Sequence, residues 1–533
     1  MTTGATSPVT TPRPSRPAPT VRTRAGCLRG TEEEYDGRTL SVFRGVPYAQ
    51  PPVGPLRFSS PRPVRPWTGV RDATAFSPPF LQPRPPGGSE DALYANVWTP
   101  DPGGRRPVLV YVHGGGFQVG AADSPACDGA KPAARGDLVV VTFNYRLGAF
   151  GWGLHEDLTD PRTGDCANWG LQDQTALLRW VRDNAEAFGG DPGAVTLCGT
   201  SAGAVSARLL AGSARTEGIV KRLVAVSAAL PWAPALSLTA DDARTAYEKL
   251  AAGSGTSVAG LRYVPAEELQ AAWLELFDGP PERRLLASGR EYRGPVVDGR
   301  TVAAGDPPLP PVPVMAVHCR TEGSFFTDPH SLSFPPAPPA PANDDELRAT
   351  VRDVLLKCTA HVPDEEVAAC VEAYREAAAA EGLPGDPLSL WTEVWGDALL
   401  RYQIVRLAER HAAEGRTPQH VMEFAHPVRP PHFGTPHDAT SKFLFGTHAH
   451  PTLVGQFGDG PLERRVSDAF VDLVASFARC GTPSSPHVPH WPEFAPGRPS
   501  TLILGGPGIA RIGDASKLRR LRFWDGIDWL PGA

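Results

Sequence analysis

Two glycine-framed stretches of this chain carry residue types suited to acyl chemistry. The first is TLCGTSAGAVS (196–206), in which Gly199, Ser201 and Gly203 follow the spacing Gly-x-Ser-x-Gly. A serine on a sharp strand-to-helix turn holds its hydroxyl clear of the backbone. Small flanking residues let the neighbouring chain come close to it. An apolar run precedes Ser201 and the helix-prone AVSARLLAGSA follows it, so the turn is predicted here. The first N–H groups of such a helix point at the site and favour developing negative charge. The pentapeptide fits a plain tight turn equally well, so the partners must decide.

The second stretch is HGGGF, His113 to Phe117, directly after the strand-like VLVYV. Successive glycines let backbone amides face a cavity with no side chain in the way. Gly115 and Gly116, joined by Ala202 after the serine, could supply three N–H donors to an oxyanion, and losing one such donor costs roughly a hundred- to a thousandfold in rate. Alone, the glycine run also fits a flexible loop.

Both stretches need a scaffold that ends strands side by side. The runs 107–112, 138–145, 194–198, 222–227, 313–318 and 420–425 read as buried strands, because near-continuous β-branched sequence suits strands covered on both faces. Between two of them, Leu171, Gln174, Leu178, Val181, Ala185 and Phe188 recur at helical spacing and form one apolar stripe. Strand–helix alternation of this kind predicts an α/β fold: a doubly wound, mostly parallel sheet flanked by helices, with helical and loop insertions. The Pro-rich patches 306–314 and 333–343 read as insertions within one domain, since strands resume after them. Two amphipathic helices, in 344–358 and 364–382, follow the second patch.

Bulk properties narrow the function classes. The chain has 533 residues, 41% hydrophobic and 21% charged, with a net charge of −6 and no dense basic block, which argues against nucleic acid as a partner. Its apolar runs are strand-sized and too short to span a bilayer. Residues 1–20 are Pro/Thr/Ser-rich without an apolar core, and are expected to be a disordered tail rather than a secretion signal. Residues 21–533 are expected to form a single domain. The eight cysteines are dispersed, without CxxC or Cys/His spacing, which favours free thiols, a cytoplasmic location and no zinc site. Arg, Ala, Pro and Gly usage suggests a GC-rich bacterial source.

Several further stretches make the chain resemble the type-B carboxylesterase/lipase family of α/β-hydrolases, which includes para-nitrobenzyl esterases and cholinesterases. They include FRGVPYAQPPVGPLRF (43–58), SEDALYANVWTP (89–100), VVVTFNYRLGAFG (139–151), WGLQDQTALLRWVRDNAEAFGGDP (169–192), GPVVDG (294–299) and FARCGTPSSPHVPHWPEF (477–494). The resemblance runs from about residue 22 to 505. It implies a Ser–Glu–His triad of Ser201, Glu322 in CRTEGSFF, and His437 in FGTPHDATSKFLFG, with Gly115, Gly116 and Ala202 as the oxyanion hole. His437 would take the Ser201 proton and pass it to the leaving alcohol, while Glu322 holds the imidazole tautomer. The implied activity is hydrolysis of small-molecule carboxylic esters through an acyl-enzyme, with no cofactor or metal, by a monomer or weak homo-oligomer. A biosynthetic relative acting on a specialised ester or lactone, and a non-catalytic cholinesterase-fold binding protein, are the other readings. Candidate pocket residues are Phe117, Phe325 and Trp232; a core position suits Trp232 nearly as well.

The sequence departs from the family at several points. Thr200 and Thr440 stand where relatives usually carry a pair of glutamates, so a less negative site with weaker preference for cationic substrates is expected. Ala92 replaces a family cysteine, and the tryptophan that cholinesterases place between PF and SED is absent from 79–89, which argues against choline esters. His426 is the main rival to His437 as base. His448 and His450 have a spacing compatible with metal binding, but no third ligand accompanies them.

Overall fold

The computed structural model describes residues 17–227, 238–278, 294–304, 309–331, 338–359, 361–414, 417–495, 499–514 and 518–529. Eleven strands among them form one sheet: β1 (Thr31–Tyr35), β2 (Arg38–Pro47), β3 (Tyr94–Thr99), β4 (Arg106–Val112), β5 (Val139–Phe143), β6 (Gly190–Thr200), β7 (Val220–Val226), β8 (Val314–Cys319), β9 (Gln419–Phe424), β10 (Ser500–Leu504) and β11 (Ala510–Asp514). Their spatial order is β11-β10-β9-β8-β7-β6-β4-β5-β3-β2-β1. The seven strands from β10 through β5 pair in parallel, while β1, β2, β3 and β11 add antiparallel edges. Each apolar run read as a buried strand lies in this parallel block. The edge strands are the part that sequence pattern left unassigned.

Alternation along each strand sends residues to opposite faces. On β4, Val108, Val110 and Val112 join one core, with Leu177, Leu178 and Val181 of the helix α1 (Trp169–Asn184) and Ala204 and Ala207 of α2 (Ala202–Ala211). Leu109 and Tyr111 face the second core, which is closed largely by the helix Pro461–Cys480 through Phe470, Leu473 and Val474. Every residue of the stripe expected on α1 and the 3-10 turn after it is buried. The amphipathic segments after the second Pro-rich patch form α3 (Asp344–Leu355) and α4 (Asp364–Glu381). With α5 (Pro387–Gly396) they pack as a helical group inserted between β8 and β9. The helix α6 (Tyr402–Glu414) then returns the chain to the sheet against β8 and β9.

Buried ion pairs pin the loops to this frame. Asp173 on α1 is fully buried and accepts hydrogen bonds from the Arg146 backbone N–H and from its Nε and Nη2, at 3.0, 2.8 and 2.6 Å. Arg57 makes the same kind of fork to Glu90. Residues 1–16 lie outside the described residues, and Thr20, placed in the expected tail, opens a strand that pairs with Arg29. All eight cysteines are free. No helix among the described residues is long and apolar enough to cross a membrane.

Burial lowers His113, His411, His420 and His448 to about 4. The unfolded chain takes up these protons near pH 6.5 and the folded chain does not, so stability falls as pH drops from 6.5 toward 4. Calorimetric melting points should therefore hold between pH 7.5 and about 6.5 and then decline toward pH 4.5. A flat Tm across that range would contradict neutral burial of these histidines.

Candidate active site

Adjacent parallel strands β9, β8, β7, β6 and β4 all end on the same edge of the sheet, and the loops leaving those ends carry the candidate residues. Main-chain bonds hold the ends in register beyond the strands. Ser201 N–H donates to the Val226 carbonyl (2.9 Å), Ser227 N–H to Val317 (2.7 Å) and Arg320 N–H to Phe424 (2.8 Å). Side chains scattered from residue 113 to 437 are thereby gathered at one rim.

Ser201 sits between β6 and α2 with φ 59° and ψ −128°, a sterically costly backbone for a non-glycine residue. Its two framing glycines are required by close approach. A Cβ on Gly203 would lie 2.1 Å from the Val112 carbonyl oxygen, and one on Gly199 would lie 2.3 Å from that of Gly203. The glycine run crosses just as tightly, since a Cβ on Gly114 would meet the Ser201 Cβ at 2.9 Å. Gly115 and Gly116 take φ 115° and 58°, and a Cβ on Gly116 would point into open space. Ala202 is the first residue of α2, where N–H groups lack an intrahelical acceptor. The run is anchored by Tyr145, which donates to the His113 carbonyl (2.7 Å) and stacks on its ring.

Glu322 and His437 meet as the resemblance implied. His437 Nδ1 lies 2.7 Å from Glu322 Oε2. The other oxygen, Oε1, accepts from Ser227 Oγ (2.6 Å) and from the Cys319 N–H (2.7 Å). Burial alone would push this fully enclosed carboxyl up, but the charge and hydrogen bond of the His437 ring, with the Ser227 and Cys319 donors, outweigh it and hold it below the usual carboxylate range. His437 Nε2 is buried and has no hydrogen-bond partner among the described residues, which leaves it free to exchange a proton. Such an arrangement fixes one imidazole tautomer and can stabilise an imidazolium.

Ser227 gave no sequence signal beyond its place at the end of the strand-like AVS. It adopts φ 51° and is fully buried. A second support went unread as well. Arg401, in a π-helical segment at Asp397–Arg401, hydrogen-bonds the carbonyls of Cys319 (3.3 Å) and Arg320 and pairs with Asp397. Arg520, near the end of the described chain, hydrogen-bonds Glu393 (2.9 Å) and forms an ion pair with Asp397 (3.2 Å). Helix α5, the π-helical segment after it and Arg520 thus brace the turn that presents Glu322.

Other expected residues have these positions. Phe325 and Phe326 lie with ring centroids 6.0 and 5.5 Å from that of His437, and Phe326 stacks on Trp395 at 4.0 Å. Phe117 is buried against Trp152 (4.5 Å). Trp232 lies outside the described residues. Thr200 Oγ accepts from the Tyr111 hydroxyl at 3.2 Å, while the Thr440 hydroxyl is buried with no partner among the described residues, so hydroxyls occupy both positions where relatives usually carry acids. The rival His426 has Glu463 at 3.8 Å as its neighbouring carboxylate, not Glu322. His448 Nδ1 faces the Gly446 carbonyl (3.2 Å) and His450 Nδ1 the Thr452 hydroxyl (2.8 Å).

Comparison with known proteins identifies the family. The carboxylesterase family model matches residues 17–524. This chain belongs to the carboxylesterase family. Among its relatives, the phenmedipham hydrolase of Pseudarthrobacter oxydans is 31% identical over 530 residues, covering 94% of this chain and 97% of that protein. The para-nitrobenzyl esterase of Bacillus subtilis (strain 168) is 31% identical over 508 residues, covering 91% and 94%. The crystal structure of the Geobacillus stearothermophilus carboxylesterase EST55 at pH 6.2 superposes with a TM-score of 0.77 and 29% identity, covering 95% of this chain and 99% of that one. The carboxylesterase described here accordingly has the α/β-hydrolase fold and is a carboxylic ester hydrolase.

Ser227→Ala would leave the enclosed Glu322 carboxylate one donor short. Hydrogen bonds to charged groups contribute about 1.5–3 kcal/mol, and a stability loss of that order is expected in urea unfolding. A roughly tenfold or greater fall in kcat should accompany it. Unaltered stability and kcat would show that Glu322 does not depend on this hydroxyl.

Proposed function

We propose that this carboxylesterase works through a covalent acyl-enzyme on Ser201, with His437 as general base and acid and Glu322 as its orienting carboxylate. The observation that carries the reading is the enclosed Glu322–His437 bond of 2.7 Å, on the same sheet edge as a serine in strained backbone. Ser201 Oγ attacks the ester carbonyl carbon as His437 Nε2 takes its proton. The N–H groups of Gly115, Gly116 and Ala202 receive the carbonyl oxygen as it becomes negative. Collapse of the tetrahedral intermediate breaks the bond to the alkoxy oxygen, which leaves as the alcohol with the proton from His437. Water then attacks the acyl-enzyme by the same route, giving the carboxylic acid and free Ser201.

The aromatic surface of Phe325, Phe326 and Trp395 beside His437 supports small esters with apolar or aromatic groups as substrates. The para-nitrobenzyl esterase relative points the same way. The family match over 17–524 supports one hydrolase unit along the chain.

Hydrolysis of para-nitrophenyl and para-nitrobenzyl acetates, followed alongside intact-mass measurement after a fluorophosphonate probe, tests the proposal. Wild type should turn over both esters and gain one adduct mapping to Ser201. Ser201→Ala should lose the adduct and roughly a thousandfold or more of kcat. Labelling at another residue, or an active Ser201→Ala variant, would refute the assignment.

Thr200→Glu tests the electrostatic character of the site. A carboxylate introduced at the elbow favours the imidazolium, so the acid limb of the kcat/KM profile should move to higher pH. An unmoved profile would show that the charge of position 200 does not reach the base.

A further inference from the structure

We infer that this protein carries a second binding site, for a small organic phosphate, in an arginine-lined groove on the far side of α1 from the sheet. The groove has a volume of about 430 Å³ and shares no lining residue with the candidate active site. That size falls within the range of about 300–1,000 Å³ usual for small-molecule pockets. It is bounded by the turn at Arg24, the Pro-rich loop 60–66, the turn 162–165, the outer face of α1 and Arg215 after α2.

Its charge is the opposite of the protein's. The chain as a whole carries −6, yet six guanidinium groups line this groove, from Arg24, Arg62, Arg162, Arg179, Arg182 and Arg215, against the carboxylates of Asp165 and Asp183. Both acids are already engaged. Asp165 is nearly fully buried under a bidentate fork from Arg215 (2.8 and 2.8 Å) and a bond from Arg300 (3.2 Å). Asp183 is shared by Arg24 (3.1 Å) and Arg182 (3.0 Å). Arg62 reaches the buried Asp160 only at 3.5 Å, and that carboxylate already accepts the N–H groups of Ser60 and Arg162. The Arg162 guanidinium bonds the Pro61 carbonyl (3.4 Å) and no carboxylate among the described residues.

Arg179 is the most exceptional of the six. Its guanidinium bonds the Arg215 carbonyl (3.1 Å) and has no carboxylate partner among the described residues. Burial, and then the like charges of Arg215 and Arg182, work against its protonated form. A cation held between cations gains from any anion that enters. Planar guanidinium forks match the oxygens of a phosphate in pairs and hold it better than a single carboxylate. Part of the wall is apolar and flat, from Trp180 and the prolines at 61, 63 and 66, and suits a ring attached to the anion, while Ser60, Thr163, Gln172, Thr175 and Asn184 add polar groups beside it. A nucleoside polyphosphate has this combination of ring and clustered charge.

Isothermal titration of the full-length enzyme with ATP, inorganic pyrophosphate and AMP tests the site, repeated at low and at 0.3 M salt. Saturable binding at one site per chain is expected, strongest for ATP and weakened by salt. The double variant Arg162→Glu/Arg179→Glu should weaken ATP binding roughly tenfold or more. It should leave kcat/KM for para-nitrophenyl acetate unchanged, which shows that it is folded. Arg348→Glu, an exposed arginine on α3, should leave ATP binding as in wild type. Absence of saturable binding up to millimolar ATP would overturn the inference, as would equal weakening by Arg348→Glu. Pyrophosphate binding as tightly as ATP would overturn the organic part of the assignment. Flotation with anionic phospholipid vesicles, without binding of the soluble ligands, would replace the small molecule by a membrane surface.

Discussion

A carboxylate can remain ionised in a water-free interior only if donors satisfy it from every side, and Glu322 meets that condition with very little to spare. Its two oxygens are taken by an imidazole N–H, a serine hydroxyl and a backbone N–H, each within 2.7 Å. An enclosed charge with one donor missing would cost several kcal/mol or would take up a proton. The donors come from the ends of three neighbouring strands and their loops, so the buried carboxylate keeps all of them only when the sheet is in register. The same requirement aligns the His437 ring, because the bond that satisfies Glu322 also fixes which imidazole nitrogen faces outward.

Parallel pairing explains why these groups can meet at all. Strands β4, β6, β7, β8 and β9 run in one direction, and their C-terminal ends present the glycine run, Ser201, Ser227, Glu322 and the loop to His437 in spatial sequence. These five strands lie side by side in chain order, but long helical segments separate them along the chain, so residues hundreds of positions apart become neighbours through the sheet rather than through local turns. Close backbone crossings at Gly114, Gly199 and Gly203 then bring the glycine run and the elbow together. The strained φ of Ser201 and of Ser227 is tolerated because each of those N–H groups is tied to the adjacent strand.

What the sequence made readable follows from the same physics. Strands covered on both faces are continuously apolar, so 107–112 or 420–425 stand out. The edge strands Arg38–Pro47 and Tyr94–Thr99 mix polar residues and a proline with apolar ones, and no single period marks them. Gly114, Gly199 and Gly203 were readable because only glycine fits such crossings, and Gly115 and Gly116 because their backbone takes positive φ. Glu322 and His437 were found through the resemblance, since a lone acid and a loop histidine have no signature of their own. Ser227 and the Arg401–Asp397–Arg520 brace stayed hidden because their roles exist only in three dimensions: a hydroxyl beside a carboxylate from another strand, and a buried charge cluster spread over 397–520. The arginine groove was equally invisible, being assembled from residues 24 to 215 in a chain whose overall charge is negative.

The proposed catalysis requires Ser201, His437 and the three N–H groups to converge on one reacting centre. A crystal structure of the enzyme phosphonylated by a para-nitrophenyl phosphonate places a tetrahedral adduct there directly. The expected structure has phosphorus bonded to Ser201 Oγ, the phosphoryl oxygen within hydrogen-bond distance of the N–H groups of Gly115, Gly116 and Ala202, and His437 Nε2 against the adduct. An adduct whose phosphoryl oxygen faces away from those N–H groups, or an imidazole at residue 437 that stays out of reach of it, would contradict the account.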